Sequence, residues 1–161
     1  LFEALSSASI PRSSECVPRH LGNTAWAFAV LEWCHDPLME AIAASAIAKS
    51  SEFNSQGISN MLWSFAQCRW QHTPLLESIA AQAIRSQVLA KPQELANHAW
   101  ACATLSYLDV PLLHATAAAA VARSSQFVPQ DHSNIAWSFA VLKEADSPLC
   151  ASLAAGAVRS T

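Results

Sequence analysis

A chain of 161 residues, half of them apolar, with three Gly and 13% charged residues, is long enough to bury a core, and its Ala-rich make-up favours helix over strand. A formal net charge of −3 argues against a simple nucleic-acid binder, which ordinarily carries a basic stripe, and no DNA partner is expected. No stretch approaches the roughly eighteen uncharged apolar residues of a membrane span, so no membrane insertion is expected.

The opening stretch LFEALSSASI aligns with LMEAIAASAI at Leu38–Ile47 and reads as the second helix of a partial leading unit, residues 1–15. It has neither the basic start nor the long apolar run of a signal peptide, and it lacks an initiator Met, so the chain reads as a piece of a longer protein. GNTAWAFAV then opens a series. SNMLWSFAQ, ANHAWACAT and SNIAWSFAV follow it at steps of 37 residues, placing Asn23, Asn60, Asn97 and Asn134 in one column and Trp26, Trp63, Trp100 and Trp137 in another. Pro37, Pro74, Pro111 and Pro148 share a further column, each followed by Leu. Self-similarity at this period marks a stack of repeated units, here residues 16–52, 53–89, 90–126 and 127–161.

Each unit reads as two helices. The first runs from the Pro-Gln of Pro92-Gln93 or Pro129-Gln130 through Asn-x-x-Trp; it is apolar almost all round, as a helix sandwiched between others is. The second begins at the shared Pro, which suits the first turn of a helix. Asp36, Thr73 and Ser147 precede that Pro as candidate N-caps; Val110 cannot cap, so a weaker start is expected there. In the second helix Leu75, Ile79, Ala83 and Ile84 form a stripe at helical spacing, with Ala80 and Ala81 allowing close approach. The predicted fold is all-α: an α-solenoid of stacked helix hairpins with a 37-residue repeat, a single domain over residues 1–161 of four repeats and a leading half.

The pattern F-x-P-Q-x-x-x-N-x-x-W-x-x-A, clearest in FVPQDHSNIAWSFA (Phe127–Ala140), resembles the octotricopeptide repeat family and the related repeats of algal and protist organelle proteins, including those with RAP domains. The resemblance covers nearly the whole chain. It departs from the pattern at Cys16 and Arg19, which replace the Phe and Gln of the first unit, and at Ala90, which replaces the Phe of the third. The period is also one residue short of the family's nominal repeat. The resemblance implies an organellar protein, of chloroplast or mitochondrion, that binds RNA and acts in transcript stability, translation, splicing or ribosome assembly.

The candidate sites follow from the columns. Asn within a helix needs a partner for its amide, so Asn23, Asn60, Asn97 and Asn134 are either a ladder tying unit to unit or base readers. Beside them lie columns that vary: His20, Thr24 and Ala27; Gly57, Met61 and Ser64; Glu94, His98 and Ala101; Asp131, Ile135 and Ser138. Changing side chains on a fixed scaffold is what a one-base-per-repeat reader needs, so His20, Thr24, Met61, Glu94, His98 and Asp131 join the Asn column as RNA-reading candidates. The Trp column reads as core, with Trp33, Trp70 and Tyr107 as the better stacking candidates. Lys49, Arg85, Arg123 and Arg159, near the ends of the second helices, either complement the helix C-termini or contact phosphates. The five Cys fall in different columns and read as small buried hydrophobes in a reducing compartment. No metal, cofactor or catalytic constellation stands out. Two functions are expected from these features: an organellar binder of single-stranded or ribosomal RNA, or a non-catalytic scaffold subunit or assembly factor bound to protein partners of a large complex.

Overall fold

The computed structural model describes residues 1–143, and there the chain is helical throughout, with no strand among the described residues. Eight α-helices follow one another: α1 (Phe2–Ser9), α2 (Pro18–Val30), α3 (Asp36–Ala48), α4 (Ser55–Gln67), α5 (Thr73–Ser86), α6 (Pro92–Thr104), α7 (Val110–Arg123) and α8 (Pro129–Leu142). The even-numbered helices begin at residues 18, 55, 92 and 129, steps of 37. Short 3-10 turns follow α1, α3, α5 and α7. The columns expected at Glu144, Asp146, Ser147, Pro148, Leu149, Ala157, Val158 and Arg159, together with Cys150, lie outside the described residues.

The helices form two rows. Along one, α2 packs on α4, α4 on α6 and α6 on α8; along the other, α3 packs on α5 and α5 on α7. The first row is the closer packed, and small residues allow it. A Cβ added at Gly22 would lie 3.2 Å from the backbone oxygen of Gly57 on the next helix. Between the rows sits a continuous core that includes Leu21, Leu38, Ile42, Phe65, Leu75, Ile79, Leu95 and Leu112. Removing each such side chain from water contributes about 1.5–3 kcal/mol. The α5 stripe holds at Leu75, Ile79, Ala80 and Ala83, all buried, whereas Ala81 and Ile84 are exposed. In α4, Phe65 is buried while Trp63 lies at the surface edge.

The N-caps stand one residue earlier than the sequence suggested. Leu38 N–H donates to His35 Nδ1 at 3.3 Å, Leu75 N–H to His72 Nδ1 at 3.1 Å and Leu112 N–H to Asp109 Oδ1 at 2.9 Å. Asp36, Thr73 and Val110 are already helical and Pro occupies the second position. The third unit is therefore not the weak one, because Asp109 rather than Val110 is its cap.

The even-numbered helices end alike. Glu32, Arg69, Ser106 and Lys143 are left-handed, with φ of 55°, 51°, 51° and 58°. Trp33, Trp70 and Tyr107 N–H then reach back to the carbonyls of Phe28, Phe65 and Cys102 at 3.0, 2.9 and 2.9 Å. This is the Schellman closure, and its usual apolar contact is present where the Trp70 and Phe65 rings lie 5.3 Å apart. The expectation that all Cys are reduced is overturned: Cys34 and Cys68 form a disulfide, with Cα atoms 5.6 Å apart, that ties the segment after α2 to the end of α4. Spacing hid this pair, because the two residues occupy different repeat columns and meet only where the turns of adjacent units stack. Cys102 does behave as a buried apolar residue, its thiol pushed up to about 12 by burial and by the nearby Asp109 carboxylate. No helix among the described residues is long and apolar enough to cross a membrane.

Candidate ligand groove on the first helix row

A helix turns about 100° per residue, so residues seven and three before each Trp fall within about 60° of it on the helix surface. That places Gln56, Asn60 and Trp63 on one stripe of α4, Gln93, Asn97 and Trp100 on one stripe of α6, and Gln130, Asn134 and Trp137 on one stripe of α8. Arg19, Asn23 and Trp26 hold the same places on α2. Apart from Trp137, Arg19 and Asn23, these stripes line a polar groove of about 500 Å³ across α4, α6 and α8, with Trp26 at one end and Ser59, Lys91 and Glu94 also on its wall.

The Trp column is not core. Trp26 and Trp137 are each 47% exposed, and Trp63 and Trp100 are half-buried, their rings stacked with centroids 6.3 Å apart and planes 25° apart. The apolar surround that suggested burial belongs to the residues on either side: Leu62, Phe65 and Ala66 are buried. Each Trp lies at the rim, where one edge of the indole packs and the other is wet.

The Asn column forms a partial ladder. Asn60 Nδ2 donates to Asn23 Oδ1 at 3.3 Å, and Asn97 Nδ2 donates to Ser59 Oγ at 3.1 Å. Each carboxamide is thus oriented by the preceding helix, yet Asn60, Asn97 and Asn134 all line the groove.

The variable columns lie mostly inside the stack, which corrects the expectation of an accessible reading face. Met61, His98 and Ile135 are buried, as are Ser64, Ala101 and Ser138. They stand about 100–160° round the helix from the Trp, on the flank pressed against neighbouring helices. His98 has no protein hydrogen bond to either ring nitrogen among the described residues, and burial lowers its pKa to about 4. Ser64 and Ser138 each donate to the carbonyl four residues back, Asn60 and Asn134, at 2.6 Å.

The column six before each Trp has a different use. Glu94 accepts from Lys91 N–H at 2.8 Å and Asp131 from Val128 N–H at 3.2 Å, each closing the start of its helix. At Gly57 no carboxylate is available, and Asn54 Oδ1 caps instead by accepting from Gly57 N–H at 2.8 Å. In α2 these columns meet solvent, with His20 exposed and Thr24 half-buried, and in α6 Glu94 lines the groove.

The basic residues divide. Lys49 Nζ donates to the carbonyls of Ser14 and Cys16, both at 2.7 Å. Arg123, two periods on, donates to the carbonyls of Ala90, Val88 and Gln87, the last at 2.9 Å. Both cations therefore close the preceding 3-10 turn and are not free for phosphates. Arg85 stands one place out of that column, is exposed and donates through Nε to Gln82 Oε1 at 2.9 Å; Gln82 Nε2 takes over the turn by bonding the Phe53 carbonyl at 3.1 Å. Arg159 lies outside the described residues.

A second cavity of about 550 Å³ lies between α1, α2 and α3, with largely aliphatic walls and Arg12 at its side, away from the groove. No three His, Cys, Asp or Glu side chains are grouped to hold a metal among the described residues. Compared with protein-family models and with curated proteins, the chain matches none.

The groove stripe was within reach of the sequence. Gln, Asn and Trp recur at helical spacing in three of the four units, and the fourth changes only Gln to Arg19. A polar residue that recurs on an otherwise apolar helix has to face either a partner or solvent, and here the Asn does both.

Proposed function

We propose that the chain is an α-solenoid of 37-residue helix hairpins that binds single-stranded RNA of an organelle, messenger or ribosomal, along the Gln-Asn-Trp groove. The observation that carries this reading is the row of four partly exposed indoles beside a row of carboxamides. Indole faces stack on bases irrespective of sequence, and carboxamides pair a donor with an acceptor as base edges do. The helix starts at residues 18, 55, 92 and 129 support the repeat, and the likeness to octotricopeptide repeats supports the ligand class. Lys91 is the one cation among the described residues that line the groove. Affinity then rests on stacking more than on counterion release and should depend weakly on salt.

Binding of the full chain to single-stranded RNA, followed by fluorescence anisotropy, tests this. Asn60→Asp with Gln93→Glu keeps side-chain size and puts two carboxylates where a phosphodiester would pass. A drop in affinity of about tenfold or more supports the groove; unchanged binding moves the site elsewhere.

The scaffold reading has its own support at the turn after α5. Val88 and Leu89 stand 82% and 79% exposed there, the sort of apolar contact a protein partner covers. It is favoured if the native protein purifies with fixed protein subunits and without RNA.

A further inference from the structure

The 3-10 turns after α1, α3 and α7 are polar at every place, reading Ser-Ser-Glu, Ser-Ser-Glu and Ser-Ser-Gln; the turn after α5 reads Gln87-Val88-Leu89. Val88 and Leu89 stand where Ser51 and Glu52 stand one unit earlier, and both point into solvent. Exposed aliphatic residues scattered singly call for no explanation. These two are adjacent, and the turn beneath them is built differently from the others. Gln87 is buried where those turns have Ser, and its Nε2 donates at 3.0 Å to Oγ1 of buried Thr116, which stands where α3 and α5 carry Ile42 and Ile79. Arg123 donates to three carbonyls of this turn, whereas Lys49 and Gln82 each donate to two carbonyls of the turns they hold. One unit thus combines an outward apolar pair with an inward polar pair, on a backbone held at more points than the turns after α1 and α3.

We infer that the turn after α5 is a docking knob for a protein partner, which receives Val88 and Leu89 in an aliphatic socket with Asp or Glu on its rim. Positive charge surrounds the knob and selects that rim by complementarity. Arg85 and Lys91 are exposed on either side of it, Arg123 is bound to its carbonyls, and no Asp or Glu occurs between Glu77 and Glu94 in a chain of net charge −3. Fixing the backbone beforehand lowers the ordering cost of fitting a socket of defined shape. A fluid bilayer takes apolar side chains in any arrangement and gains nothing from that rigidity. The aliphatic cavity between α1, α2 and α3 of a second copy is a poor match, because Arg12 at its side would meet the cations of the knob. The knob is independent of the groove and serves the molecule whether or not the groove takes RNA.

The test places a photoreactive benzoyl-phenylalanine at residue 88 of the full-length protein in its native cells, and in a separate chain at residue 51, the same place one unit earlier. Crosslinked peptides are sequenced, and the protein found is purified and titrated against wild type, Val88→Ser with Leu89→Glu, and Arg85→Gln. The double change copies the turn after α3 at exposed positions, so the melting temperature should stay where it was. The inference is upheld by a protein that residue 88 captures and residue 51 does not, crosslinked through an aliphatic stretch beside Asp or Glu. Its affinity should fall at least about tenfold with the double change and about threefold with Arg85→Gln. Adducts alike at both positions, adducts to a second copy of this chain, or unchanged affinity in the double variant would overturn it. So would binding to phosphatidylserine vesicles that the double change abolishes, which would assign the knob to a membrane surface.

Discussion

His98 is where a single side chain most clearly couples folding to pH. It is fully buried, and burial alone lowers its pKa from the ordinary 6.5 to about 4. The unfolded chain then binds the proton more readily than the folded one. The stability His98 contributes is intact above about 6.5 and is lost as pH falls from there towards 4. At about 1.4 kcal/mol per pH unit, that window corresponds to roughly 3 kcal/mol. His98→Met places in α6 the residue that α4 carries at Met61, without an ionisable group or an unpaired nitrogen. Denaturant unfolding of both chains at pH 7 and pH 4 should show the wild type losing roughly 3 kcal/mol more than the variant; parallel losses would mean the imidazole is not buried as described. The same residue shows what the sequence could not reveal. Spacing sets His98 at a definite angle from Trp100, but the angle at which a neighbouring helix covers the surface depends on how closely the rows pack. Gly22 and the small residues along the row bring the helices near enough to bury that flank and leave the Trp flank open. The sequence put the Trp flank in the core, and the packing of the rows puts the His98 flank there instead.

Between residue and stack, each helix is bounded by chemistry that repeats even where the residues do not. His35, His72 and Asp109 cap α3, α5 and α7 through different atoms at one position. An imidazole can accept there only while that nitrogen is unprotonated. Helix existence and length were legible, because Pro at the second position and the Ala-rich stripes repeat openly. The caps were misplaced by one residue because His is not among the usual N-cap residues, and Asp36 and Thr73 are. The C-terminal closures were invisible for a similar reason: Glu32, Arg69, Ser106 and Lys143 occupy a left-handed position that ordinarily signals itself through Gly. The disulfide acts at this scale too. It joins residues 34 apart in sequence and clamps the turn of one hairpin to that of the next. In the chain-entropy treatment, opening a loop of this length costs about 3–4 kcal/mol. Reducing the protein, or making Cys34→Ser, should shift the denaturation midpoint by an equivalent amount, and the two treatments should not add. An unchanged midpoint on reduction would show that the clasp adds nothing to the packing of α2 on α4.

At the scale of the whole molecule, two rows of unequal closeness divide the labour. The second row, α3, α5 and α7, sends Lys49, Gln82 and Arg123 back to the preceding turn and so fixes one hairpin against the last. The first row is fixed by its buried flank, which leaves the opposite flank free to line a groove with Gln, Asn and Trp. Repetition itself was plain from the sequence, since four columns at one step need no structure to be seen. What the repetition presents was not. Of the basic residues read as either helix-end complements or phosphate contacts, Lys49 and Arg123 hold one unit to the next, and the indoles that read as core stand at the rim, Trp26 and Trp137 exposed and Trp63 and Trp100 half-buried. Long side chains of a second helix reach back across a whole unit, and the indoles stand at the rim while the Phe28, Phe65 and Phe139 rings fill the buried side of the same row. The most direct measurement is ultraviolet crosslinking of the full-length native protein, with any nucleotide adducts located by mass spectrometry of its peptides. Adducts on the peptides that hold Trp26, Trp63 and Trp100 are expected. Adducts confined to the opposite row around Arg85, or protein that crosslinks to no RNA at all, would contradict the groove as the RNA site.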